Sequence, residues 1–182
     1  ASAGEYVIGK TLAIIEMILL IDLLVIILAM TIHLFASNFS FDFSHYLFYL
    51  LTLTFPAILF MTGLSLALKI LIKNAWIASL ILFIFWGASI SVLPPVGHGI
   101  LDFIASEIPN VFSSITGHPG IDVYLLQRSI FILFSGVLIS VAITKLPHFS
   151  EHKGLSKGPV RALLLFVGGV VIASSIYSLH FK

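Results

Sequence analysis

"TLAIIEMILLIDLLVIILAMTIHLF", residues 11–35, runs unbroken with only Glu16 and Asp22 carrying formal charge. As a helix it rises about 37 Å, more than the roughly 30 Å hydrocarbon core of a bilayer. It is apolar on every side, so no single face can be turned to water. The run predicts a membrane span, and the rest of the chain repeats the signal. Of 182 residues 59% are hydrophobic, Phe alone supplying 16, and only 9% are charged, against about 25% in ordinary soluble domains. Mean hydropathy is +1.16. A fold of this size keeps much of its surface exposed, so the exposed surface must itself be apolar and its solvent is lipid.

Five segments reach spanning length: Thr11–Phe35, Tyr46–Leu68, Trp76–Leu93, Val123–Leu146 and Ala162–Leu179. The expected fold is all-α, a polytopic transmembrane helix bundle of about five spans forming a single domain over residues 1–182. "KILIKNAW", residues 69–76, leaves room only for a tight turn between the second and third spans. Pro94-Pro95 stops the third, because neither ring nitrogen can donate the next helical bond. Asp122 is placed to cap the fourth span, and Pro159 suits the first turn of the fifth. Tyr6, Tyr46, Trp76, Tyr124 and Tyr177 fall near span ends, where amphipathic rings anchor at the interface, while Trp86 lies deeper as a packing residue. In the last span Gly169 and Ala173, four apart, make a small-residue face for close packing inside the chain.

Lys10, Lys69, Lys73, Lys145, Lys153, Lys157 and Arg161 fall on one side of this arrangement, and only Arg128 and Lys182 on the other. The bias places the N-terminus in the cytoplasm and the C-terminus outside. Residues 94–122 then form an outer loop. Within it Leu101, Ile104, Ile108, Val111 and Ile115 recur at helical spacing, with Asp102, Ser106, Asn110 and Ser113 opposite. Short amphipathic helices are expected there, broken near Pro109 and ended at Gly117. Irregular backbone at membrane depth must be covered by protein or water, which points to a cavity beneath the loop.

The polar residues inside the spans carry the functional candidates. Asp22 lies near mid-membrane and Glu16 about a turn and a half from the cytoplasmic end. Six residues apart they point about 120° away from each other, so they are not a paired-carboxylate site. Each either lines a pathway or is neutralised in helix packing. Arg128, one turn into the fourth span, either snorkels to headgroups or pairs with Asp122 or Glu107. "HFSEH", His148 to His152, has zinc-protease spacing but sits in a short basic loop without a third ligand. Asn38 heads a formal glycosylation sequon. His33 and His45 flank the first outer loop and offer a rival reading, haem held between two helices. The chain has no cysteine, which excludes thiol catalysis, and no Gly-rich phosphate loop. No cofactor, metal or nucleic-acid partner is expected.

The order of elements is itself informative. "EYVIGK" (5–10) leads into a span; "TLTFPAILFMTGLSLAL" (52–68) is followed by the basic turn; "DFIASEIPNVFSSITGHPG" (102–120) precedes "YLLQRSIFILFSGVLISVAITKLP" (124–147). Over residues 4–147 this resembles the C-terminal part of the membrane subunit of a type-2 ATP-binding-cassette (ABC) exporter, in particular the large permeases of Bacteroidetes-like bacteria. The resemblance implies that the first four spans match the third to sixth of a six-span half, in a bacterial inner membrane. It also implies an ATP-binding cassette ATPase on another chain or domain, and a second permease half or second copy as partner. It puts Asp22, with Glu16, on the substrate path, and Asp102, Glu107, Pro109 and Arg128 at an outer gate. Two departures stand out: the first two spans and the coupling helix are missing, and a fifth span, Ala162–Leu179, follows. A membrane scaffold subunit without transport is the third alternative.

Overall fold

A computed structural model describes residues 3–36, 41–72, 74–106, 117–145 and 157–181. Among these the chain is helical, with no β-strand. Helix α1 covers Ala3–Ala36, α2 Phe43–Tyr49, α3 Phe55–Leu71, α4 Ala75–Ser91, α5 Ile121–Lys145 and α6 Lys157–Leu179. A π-helical turn, Leu50–Thr54, joins α2 to α3, and a 3₁₀ turn covers Val96–Gly99. The expected all-α bundle is what forms.

Among the described residues four stretches are long and apolar enough to cross a membrane: Glu5–Ala36, Phe43–Leu71, Ile121–Lys145 and Gly158–Leu179. The expected third span is the short one. Helix α4 has 17 residues and rises about 25 Å. It ends before Leu93 because the residue preceding a proline is pushed out of the helical region. Val92 and Leu93 both donate to the Ala88 carbonyl as the helix closes.

The central element is α5, packed against α3 on one side and α6 on the other. Both seams depend on missing side chains. A Cβ on Gly63 would stand 3.2 Å from the Ser135 carbonyl oxygen, so α3 and α5 approach backbone to backbone. On the other side the Phe166 ring lies directly over Gly136, 2.6 Å from where a Cβ would be. Gly169 and Ala173 do pack inside the chain: Gly169 faces Leu133, and Ala173 is buried with Tyr124, Ile130 and Tyr177.

Helix α1 is held more loosely. Its N-terminal part is pinned by Val7, which packs with Leu66 of α3 and Ala142 of α5. Much of the remaining length is exposed apolar surface, as at Leu12, Leu24 and Leu28. Two placements differ from the sequence reading. Trp86 is half exposed rather than packed inside. Tyr124 and Tyr177 are almost fully buried rather than anchored at an interface, because each hydroxyl finds an internal partner: Thr52 Oγ1 at 3.0 Å and the His98 carbonyl at 2.7 Å.

The Gly136 seam makes a direct prediction. Gly136→Val should lower thermal stability in detergent by about 1–3 kcal/mol through overpacking, and adding Phe166→Leu should recover part of the loss. Gly87→Ala, where nothing lies within 4 Å, should be neutral in the same melts.

Candidate functional site

The first site begins with Pro56. Its ring nitrogen has no hydrogen to return to the Thr52 carbonyl, and its ring crowds that carbonyl. The helix answers by widening into the π turn Leu50–Thr54 just before it. Thr52 bonds back to the Phe48 carbonyl at 2.8 Å and meets the Tyr124 hydroxyl. Such π turns re-aim side chains and recur at functional positions. Here the turn and the preceding α2 draw away from α1 and leave a cleft of about 350 Å³.

From α1 the cleft is lined by Asp22, Ile26 and His33, at spacings of four and seven that keep one helix face. From the other side come Asp42, His45, Tyr46 and Tyr49, with Leu50 and Thr54 of the π turn. Asp22 and His33 are about 16 Å apart along the axis, so the cleft reaches from one end of the bundle to about the middle of α1. The Oδ2 atom of Asp22 is shielded from solvent and has no hydrogen-bond partner among the described residues. The same holds for Nε2 of His33, whose Nδ1 is hydrogen-bonded to the Tyr46 hydroxyl at 2.7 Å. The rings of His33, Phe41 and Tyr46 gather at the mouth, with centroids 5.7 to 6.1 Å apart.

Asp42 caps α2. Its Oδ1 accepts from the Ser44 amide at 2.8 Å and from the Ser44 hydroxyl at 2.7 Å, with His45 Nδ1 3.6 Å from Oδ2. The Ser44 contacts, and then the charge of His45, hold this exposed carboxyl below the usual value of 3.8. The cap is therefore intact above the unfolded carboxylate pKa and is given up only as pH falls through the lower folded value. His118, before α5, stacks on Phe48 and lies 6.2 Å from the His45 ring, so the segment ahead of α5 borders the same mouth.

Glu16 is elsewhere. It is exposed on α1 and lines a more open groove with Leu12, Leu19, Leu23, Leu50 and Phe55. That groove adjoins the Asp22 cleft at Leu50, the two carboxylates diverging as the six-residue spacing predicts.

The second site is the loop after α4. Gly97, His98, Gly99 and Ala105 all take the left-handed conformation, unfavourable for the two that carry a Cβ. What offsets the cost is a row of donors on α5 and α6. Gln127 Nε2 donates to the carbonyls of Gly99, at 3.1 Å, and Asp102, at 2.6 Å. Arg128 donates from Nη1 to the Phe103 carbonyl and from Nη2 to the Asp102 carbonyl, both at 2.6 Å. Tyr177 holds the His98 carbonyl. Phe103 is driven between Phe60, Phe85 and Phe131, with centroids 5.8 to 6.4 Å away.

Arg128 therefore neither snorkels nor pairs with Asp122. It is 2% exposed, its guanidinium lies 5.5 Å from the Tyr124 ring and 5.4 Å from the Phe131 ring, and its grip is on main chain. Asp122 is exposed in the first turn of α5, whose start is instead closed by the Gly120 carbonyl accepting from Tyr124. Asp102 is fully buried, accepts from the Ser106 hydroxyl at 3.3 Å, and lies close enough to act on the guanidinium charge. Asp102 and Arg128 are thus brought together. Glu107 and Pro109 lie outside the described residues, as do the 107–116 part of the expected amphipathic helices, His148 to His152, and Asn38. From 100 to 106 the chain makes turns rather than a helix, because its carbonyls serve α5.

Sequence reasoning missed Gln127 and Tyr177. Gln127, a polar side chain next to Arg128 inside an apolar run, was a usable signal; for Tyr177 none exists. No group of three or more potential metal ligands occurs among the described residues. The chain matches no family model, no curated protein and no solved structure.

Replacing Arg128 tests the strap. Arg128→Met should destabilise the chain by about 2–3 kcal/mol, since it strands the Phe103 carbonyl and takes a charged donor from the Asp102 carbonyl, which keeps Gln127. Arg128→Lys should recover only part of that, because one ammonium cannot reproduce the fork. Thermal unfolding measures the loss, and faster amide exchange at Asp102 and Ala105 would localise it.

Proposed function

We propose that the chain is permease sequence of an ATP-driven exporter of the type-2 ABC kind, with the N-terminus cytoplasmic and the 94–122 segment facing outward. The observation that carries the reading is the cleft: a membrane bundle with a polar-ended, apolar-walled passage from one end to an unpartnered acid near its middle. A bundle built only for packing gains nothing from leaving a buried carboxyl oxygen without a donor. Asp22 lies on the substrate path, and Glu16 lines the adjoining groove that shares Leu50 with the cleft. The strapped loop, held by Gln127, Arg128 and Tyr177, forms part of the outer gate. The motor is an ATPase on another chain or domain, and a second permease half or second copy completes the pathway.

Purified with an ATPase encoded beside it and reconstituted in liposomes, the complex should hydrolyse ATP while the isolated chain does not. Asp22→Leu should then uncouple transport from hydrolysis at normal expression. Full transport by both Asp22→Leu and Asp22→Asn would remove Asp22 from the path.

Orientation is tested separately. With no native cysteine to interfere, Val96→Cys should react with an impermeant thiol reagent in intact cells, and Arg161→Cys only after permeabilisation. The reverse pattern would invert the topology.

The unpartnered Nε2 of His33, in one cleft with His45, favours haem as the second reading. A Soret band in the purified chain that is lost in His33→Ala would establish it.

A further inference from the structure

We infer that the cleft between α1 and the π turn binds a hydrophobic amine in its ammonium form, a cation with at least one N–H and an apolar body. The inference deepens the export reading by naming the substrate class of the same cleft, and its place in transport rests on that reading.

The chemistry of the lining selects this class. The orphaned groups with defined acceptor capacity are Asp22 Oδ2 and, in the tautomer that donates Nδ1–H to Tyr46, His33 Nε2. They stand about 16 Å apart along α1, so one ammonium serves Asp22 alone, supplying a donor together with the charge that a carboxyl inside a membrane needs beside it. Turning about χ2, a soft torsion for Asp, presents either carboxyl oxygen to the cleft. The charge balance points the same way. Among the described residues Asp22 and Asp42 line the cleft and no Lys or Arg does, the imidazoles of His33 and His45 lying toward the mouth. Arg128 is committed to the carbonyls of Asp102 and Phe103. An anion at Asp22 would meet a carboxyl with no ammonium or guanidinium beside it among the described residues.

The walls select the rest of the molecule. Ile26 and Leu50 give the cleft aliphatic wall, and Tyr46 and Tyr49 give it aromatic wall. A small inorganic cation would leave those walls unfilled, and the described residues provide no three-ligand cluster for a metal. The volume, about 350 Å³, lies in the range of small-molecule sites.

The test uses the full chain in lipid nanodiscs and titration calorimetry with phenylpropylamine. Phenylpropanol and phenylpropionate, of matched size, serve as neutral and anionic comparators. Saturable binding of the amine is expected, with the alcohol weaker by about tenfold or more and the acid not binding. Asp22→Asn, nearly isosteric, should weaken the amine by about tenfold or more without changing the melting temperature, and Asp22→Glu should keep most of the affinity. Leu50→Trp should block the cleft. Equal binding of alcohol and amine would mean simple partition into lipid or the groove, and unchanged binding by Asp22→Asn would place the amine elsewhere; either overturns the inference. The two proposals fail separately. Amine binding without any response of the partner ATPase supports the site and removes the export reading. Coupled ATP hydrolysis with no amine binding keeps export and overturns the substrate class.

Discussion

Inside a bilayer every peptide group must find its partner within the protein, and that constraint organises this fold most visibly where the chain stops being helical. Over the described residues 92–106 the backbone leaves regular α-helical geometry beside α5 and α6. The carbonyls of Gly99 and Asp102 each accept one turn amide, while those of His98 and Phe103 would be orphaned in hydrocarbon without a side-chain donor. Gln127, Arg128 and Tyr177 supply the donors. Arginine suits the position because its planar fork reaches two carbonyls at once and stays charged when buried. The loop is thereby part of the bundle wall, and the Phe103 ring completes the phenylalanine cluster beneath it.

The same constraint explains the cleft. Pro56 removes one donor from the second span, the helix widens, and the separation from α1 follows from that local adjustment. Thr52 turns the defect into a tie by bonding back to Phe48 and across to Tyr124. One proline, costly in an ordinary helix interior, thus accompanies both the π turn and the cleft that Asp22 lines.

The helical class and the membrane setting were legible because they rest on length and hydrophobicity, which no tertiary contact can reverse. The divergence of Glu16 and Asp22 was legible because helix geometry alone sets it. The role of Arg128 was not. Its environment depends on main-chain atoms 25 and 26 residues away in sequence, and carbonyls leave no mark in a residue string. Tyr124 and Tyr177 were misplaced for a related reason: position near a span end is the same for an interface anchor and for a ring folded inward on a distant acceptor. The π turn could be suspected from Pro56, but not its partner across the cleft.

The attachment of α1 has a mechanical consequence. The helix is fastened near its start by Val7 against Leu66 and Ala142, and near its finish by His33 on Tyr46, with the cleft between the two fastenings. Thirty-four residues of helix make a stiff rod about 51 Å long. Pivoting about the Val7 end by about 5° would carry His33 sideways by about 3 Å, the length of one hydrogen bond. The His33–Tyr46 pair therefore sits at the long end of a lever, where the smallest tilt is read out as the largest change in separation.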